Sequence, residues 1–155
     1  MDAWTAAHRA LAEDLARQVT VGLVDPLDIL VGADDALRVR VAEQSRAWAA
    51  ALLGEDEAQA ALTAGRLVAA LHPSDEPFDP PAAWWATPFG RAVALRIGHP
   101  WAQALSVAQA AAMLGISRQG VHDLANRGRL ERDDAGRITV TSVQARLATR
   151  SWAAG

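Results

Sequence analysis

Between Leu105 and Leu130 the chain twice starts a short helix with a serine and twice closes one with a glycine. Ser106 stands where its hydroxyl can cap a first helix, with Val107, Ala110, Ala111 and Leu114 on one face. Gly115 ends that helix, where a positive φ is usually needed. Ile116 plugs the turn. Ser117 then caps a second helix on which Val121 and Leu124 share a face, and Gly128 closes it. Two short amphipathic helices joined across one glycine turn leave few ways to fold this segment.

The outward face of the second helix is chemically specific. Arg118, Gln119, His122, Asn126 and Arg127 point away from the Val121/Leu124 face. These side-chain types hydrogen-bond base edges and phosphates. A merely solvated helix in this chain would carry Glu and Ala instead. The arrangement is that of a helix-turn-helix, whose second helix lies in the DNA major groove.

The residues after it read as a short hairpin. Leu130–Arg132 and Arg137–Val140 flank Asp133-Asp-Ala-Gly136, which is good turn chemistry with Gly136 free to take positive φ. Ile138 and Val140 alternate with Arg137 and Thr139, the period of a half-buried strand. Thr141 or Ser142 then caps a closing helix that carries Val143, Leu147 and Arg150. Helix, helix, two-stranded wing and helix make a winged helix-turn-helix. The expected DNA-facing set is Ser117, Arg118, Gln119, His122, Asn126, Arg127, Arg129, Arg132 and Arg137.

Residues 105–150 resemble the small winged domains of the excisionase and MerR-like group. The positions that carry the resemblance are Leu105, Ser106, Val107, Gln109, Ala110, Ala111, Leu114, Gly115, Ile116, Ser117, Arg118, Val121, Leu124, Gly128 and Leu130. The resemblance implies that Arg118, Gln119 and His122 lie in the major groove. It also implies that Arg132 or Arg137 reaches a backbone or minor groove from the wing. Two features depart from the group. Gly120 stands where a larger polar residue is common, and Asp133 with Asp134 makes the wing tip partly acidic.

Composition narrows the remaining classes. The chain has 155 residues and no cysteine, which excludes disulfides, thiolate metal sites and thiol catalysis. All 15 basic residues are arginine, so an Arg count by itself is weak evidence of phosphate binding. The net charge of −3 is unevenly spread. Residues 1–100 hold 8 Arg against 14 acids, a net of −6, and residues 101–155 hold 7 Arg against 4 acids, a net of +3. That segregation suits a DNA-binding module joined to an acidic partner-binding or dimerising module. Neither a basic-then-apolar leader nor an apolar run of membrane-spanning length is visible, so the expectation is a soluble, cytoplasmic protein.

The first hundred residues read as helices. One runs from Asp2 to about Val21 on Trp4, Ala7, Leu11, Leu15 and Val19, with Gly22 near its end. Val24–Gly32 reads as a loop broken by Pro26. Asp34 or Asp35 caps a second helix with Leu37, Val41, Ser45, Trp48 and Leu52 in one stripe, stopped by Gly54. A third helix opens at Glu55–Glu57, places Ala58, Ala61, Leu62, Gly65, Val68, Ala69 and Leu71 along its length, and stops at His72-Pro73. Residues 73–88 hold five prolines together with Phe78, Trp84 and Trp85, and read as an ordered, docking loop. Thr87-Pro88 starts a fourth helix on Phe89, Val93 and Ile97, and Trp101 beyond it is expected to pack between the two parts.

A catalytic reading finds no support in the pattern. His8, His72, His99 and His122 are scattered, with none of the paired spacing of a zinc site. No phosphate-binding glycine loop and no nucleophile elbow is present. Asp25 and Asp28 fit turn and capping roles, and Asp75, Glu76 and Asp79 read as solvated loop charges.

The sequence therefore predicts a mainly α chain: a helical domain over residues 1–100 and a small winged helix-turn-helix with a two-stranded wing over residues 101–155. It predicts no enzyme activity, no metal and no cofactor. The expected partner is double-stranded DNA, bound by a homodimer or together with a protein partner. Trp4, Trp48, Trp84 and Trp85 are the candidate partner or dimer contacts, because adjacent tryptophans on a proline-rich loop are hard to bury together. A sequence-specific transcriptional regulator, a repressor or an antitoxin-like autoregulator, is the leading function. The alternatives are an excisionase-like factor that bends DNA for a recombinase and a protein-interaction module with a degenerate wing.

Overall fold

A computed structural model describes residues 4–149. The chain is mainly helical and divides into two compact units, the first ending at Pro73 and the second spanning Ser74–Ser151. Residues 74–100 thus belong with the winged segment, whereas the sequence reading placed its boundary at residue 100.

Unit 1 is built from α1 (Ala6–Val19), α2 (Asp25–Val31), α3 (Asp35–Leu52) and α4 (Glu57–Leu71). Thr5 caps α1 by accepting the His8 N–H, and the expected start at Asp2 lies outside the described residues. Asp34 caps α3 and Asp56 caps α4 in the same way. α1 packs along α3, burying Leu11 and Leu15 with Ala49 and Leu52. A second cluster joins Val19, Val24 and Val41, with Leu37, Trp48 and Leu71 packed against it.

One expectation changes here. Val24–Gly32 is not a loop. The chain leaves α1 through a π turn, Thr20–Val24, and continues directly into α2. The Asp25 N–H reaches back to the Thr20 carbonyl, five residues away. The wider turn makes room for Pro26, whose ring would clash with a carbonyl one α-turn earlier. In α4 one face is buried. It carries Ala60, Ala64, Leu67 and Val68, while Leu62 is exposed.

Unit 2 begins with α5 (Ala82–Trp85) and α6 (Pro88–Ile97). Thr87 caps α6 through the Gly90 N–H, and its own hydroxyl donates to the Trp84 carbonyl. Gly90 lets the two helices meet, since a Cβ there would lie 2.2 Å from the Trp84 carbonyl oxygen. Strand β1 (Ala104–Leu105), α7 (Val107–Leu114), α8 (Arg118–Asn126), β2 (Ile138–Thr139) and α9 (Val140–Ala148) follow. α5 packs on α7, and α6 packs on α7 and α9. The core holds Trp85, Phe89, Val93, Leu105, Met113, Leu114, Val121, Ile138, Val143 and Leu147. Truncating a buried aromatic such as Trp85 to Ala costs about 3–5 kcal/mol.

The wing differs in detail from the expected hairpin. β2 pairs antiparallel with β1, a strand the sequence reading did not foresee, with Leu105 opposite Ile138. On its other edge Ile138 forms a single bridge to Arg132. Val140 opens α9 rather than ending a strand, and the cap is Thr139, which accepts the Ser142 N–H. Ser142 instead accepts the Glu131 N–H at 3.1 Å, tying α9 to the wing. Arg150, expected on this helix, lies outside the described residues.

Candidate nucleic-acid interface

The geometry of the second helix is set by caps. Ser106 Oγ accepts the Gln109 N–H at 3.1 Å and Gln109 Oε1 accepts the Ser106 N–H at 3.0 Å, a complete capping box on α7. Gly115 adopts φ 67°, ψ 34°, and the Ile116 N–H returns to the Ala111 carbonyl at 3.1 Å. The chain therefore turns sharply, and Ser117 Oγ caps α8 on the Gly120 N–H at 3.0 Å. Val121, fully buried, fixes which way α8 faces.

That orientation exposes Arg118, Gln119, His122, Asp123 and Asn126 along α8, and Arg127 and Arg129 just beyond it. Ser117, Arg132 and Arg137 are exposed as well, so all nine expected residues lie at the surface of unit 2. Arg118, Arg127 and Arg129 make no ion pair among the described residues, which leaves their charge available. Gly120 points the other way. A Cβ there would lie 3.3 Å from Ser117 Oγ and 3.4 Å from Ile116 Cδ1, so a larger residue would press into the turn rather than add to the exposed face.

The wing is joined to this face by Arg132. Its guanidinium donates to Asn126 Oδ1 at 3.2 Å and lies 3.4 Å from His122 Nδ1. At the wing tip, Asp133 Oδ1 accepts the Ala135 and Arg137 N–H groups at 3.0 and 2.9 Å. Arg137 Nε lies 3.6 Å from the other oxygen of the same carboxylate. Gly136, at φ 80°, closes the turn. Asp133 is thus consumed in shaping the tip, and of the two acids only Asp134 is left as a solvated charge.

Two residues missed by the sequence reading shape the face. Asp123 Oδ1 accepts from Gln119 Nε2 at 3.0 Å, holding that amide along the helix. The signal was the i, i+4 spacing of Gln119 and Asp123. Arg91, on α6, lays its guanidinium against the turn, so that a Cβ on Gly115 would lie 2.9 Å from Arg91 Nη2. A cation there suits the C-terminal end of α7. No local pattern could have paired it with a glycine so far along the chain.

The tryptophans are placed differently from one another. Trp85 is wholly buried, its ring 4.9 Å from Trp84 and 5.2 Å from His99. Trp84 is half-buried, edge-on to Phe78 and Phe89 at 5.3 and 5.6 Å. Adjacent tryptophans can share one cluster because α5 turns between them. In unit 1, Trp48 packs on the Val19/Val24/Val41 cluster, and Trp4 stacks on His8 with the Arg46 guanidinium over its ring at 5.2 Å. Trp101 is 59% exposed. Among the described residues no group of three or more His, Asp or Glu is arranged to hold a metal ion, and no helix is long and apolar enough to cross a membrane.

Comparison with known proteins recognises one part of the chain. No curated protein and no solved structure matches it. A family model does: residues 104–151, which include β1, α7, α8, β2 and α9, match the helix-turn-helix domain, an assignment that points to DNA binding by this segment.

Proposed function

We propose that this protein is a sequence-specific DNA-binding protein that acts as a transcriptional regulator. α8 enters the major groove, the wing grips the adjacent backbone, and unit 1 provides the contact to a partner. The observation that carries this reading is the single exposed surface that α8 and the wing form through Arg132, bordered by Arg118, Arg127 and Arg129, which make no ion pair among the described residues. On that surface Arg118 and Gln119 occupy the first turn of α8, where side chains reach base edges. Asn126, His122 and Arg132 act as one hydrogen-bonded group. Arg127, Arg129 and Arg137 suit phosphates. Asp123 has the chemistry to accept from a cytosine amino group. Unit 1 holds 6 Arg against 11 acids, a net of −5, which is unsuited to DNA and compatible with a protein surface.

Selection of bound fragments from the source genome, followed by mobility shift on the enriched sequence, tests the reading. A saturable shift with a defined motif, weakening steeply with salt, is the expected result. Absence of any shift at low salt overturns it and leaves a protein-interaction module. A second reading, an architectural factor that bends DNA for a recombinase, is favoured by the excisionase-like pattern of residues 105–130. A strong dependence of the complex's mobility on where the site lies within the fragment separates bending from simple occupancy.

A further inference from the structure

α2 is an apolar helix without a core. None of its residues is buried, yet Ile29, Leu30 and Val31 are 85, 79 and 75% exposed, and Leu27 is exposed beside them. The π turn before it adds Val21 and Leu23, also exposed. At helical spacing the apolar arc runs from Ile29 through Leu30 to Leu27 and Val31, about half of the circumference. The charged side is already occupied, since Arg38 holds Asp25 at 3.0 Å and Asp28 at 3.3 Å. A helix apolar over so much of its surface is ordinarily buried. Soluble monomers rarely leave contiguous apolar patches larger than a few hundred Å2.

We propose that residues 21–31 are the surface on which a second copy of this chain docks, forming a two-fold dimer through unit 1. The six exposed side chains present on the order of 700 Å2, close to what one partner contributes to a standard interface. The surface is also complementary to itself. Beside the projecting Ile29 and Leu30 lies a shallow groove of about 500 Å3 between Leu27, Val31, Ala33, Leu37 and Arg40. A two-fold contact places the projections of each copy in the groove of the other, which an unrelated partner would have to imitate. Its charges do not oppose this. Arg38 offsets one of the two charges of Asp25 and Asp28, which lie off the apolar arc, and Asp34 and Arg40 bring one charge of each sign to the groove rim. The contact differs from the tryptophans that the sequence singled out, of which Trp48 and Trp85 pack into their own units. For DNA, a claim that rests on the function proposed above, such a dimer would hold two winged units together on a two-part site.

Sedimentation velocity on the full chain without DNA tests this independently of DNA binding. The parent is expected to sediment as a dimer. Leu30→Asp is expected to raise the dissociation constant about 30-fold or more, as loss of a central interface side chain does. Because Leu30 is exposed, the thermal melt of the dissociated variant should still show a folded protein. The chain has no cysteine, so Leu30→Cys gives a second readout free of background. A short bis-maleimide should join two copies of Leu30→Cys, whose thiols lie on either side of the two-fold axis, and not two copies of Leu62→Cys, which is exposed on α4. A parent that is monomeric throughout its soluble range overturns the proposal. So does a dimer that Leu30→Asp leaves equally tight, or equal crosslinking from the two cysteine variants.

Discussion

The Arg132 guanidinium donates to Asn126 Oδ1 at 3.2 Å, binding the wing to the last turn of α8. The same group lies 3.4 Å from His122 Nδ1, so one wing arginine organises two recognition-helix side chains. Arg137, by contrast, pairs with Asp133 at the tip. The two wing arginines should therefore fail differently. Arg137→Ala should weaken binding to all sequences about equally and shallow the salt dependence by about one unit, the signature of a lost phosphate contact. Arg132→Ala should do this and also blur the preference at the bases read by His122 and Asn126. Identical selected motifs from the two variants would show that Arg132 has no organising role.

Arg118 tests base readout directly. It is exposed in the first turn of α8 and makes no ion pair among the described residues. If its guanidinium grips a guanine, Arg118→Ala should cost about 1–3 kcal/mol of specific affinity and relax one base position. Titration of the selected site and of a single-base variant of it measures both effects. Unchanged affinity with an unchanged motif removes Arg118 from the readout set.

The recognition segment was legible because its information is local. Caps at Ser106 and Ser117, the αL glycine at 115 and the buried Val121 each act within a few residues of themselves. Where the sequence reading erred, the deciding partner was distant or the local signal was degenerate. β1 exists because Leu105 meets Ile138 far along the chain. The face of α4 could not be phased because alanines surround it, and alanine is equally at home on either side. Pro26 signalled a break, but the π turn and the Val24 contact with Val19 and Val41 kept the chain helical through it.

His99 gives unit 2 a pH dependence. Its Nδ1 accepts the Trp101 and Ala102 N–H groups at 3.1 and 2.8 Å, so the ring is neutral with its proton on Nε2. Burial pushes its pKa below the ordinary 6.5, while Asp79 opposes that shift. Above the ordinary value both folded and unfolded chains carry a neutral ring. As the pH falls through that value the unfolded chain gains a proton that folded His99 does not, and stability is lost until the lower folded pKa is passed. Thermal melts of the protein and of His99→Gln between about pH 8 and about pH 5 measure this, and the variant should have the flatter profile. His72, also lowered by burial, has the same sign in unit 1 and is common to both proteins. Equal slopes would show that His99 is not a source of the acid sensitivity.

The boundary at Ser74 decides which fragment can bind DNA alone. The recognised family segment starts at residue 104, but the core beneath α7 and α9 includes Trp85, Phe89 and Val93 from α5 and α6. Removing those helices exposes Met113, Leu114 and Val143 and discards two buried aromatics, each worth about 3–5 kcal/mol. A domain of this size has only about 5–15 kcal/mol in all. A fragment starting at Ser74 should therefore melt cooperatively and shift DNA, whereas one starting at Trp101 should show no cooperative melt and no specific shift. If unit 1 carries the dimer contact, the Ser74 fragment should also be monomeric and bind a two-part site more weakly than the whole chain. A fragment from Trp101 that melts like the longer one would show that α5 and α6 are not part of the winged domain's core.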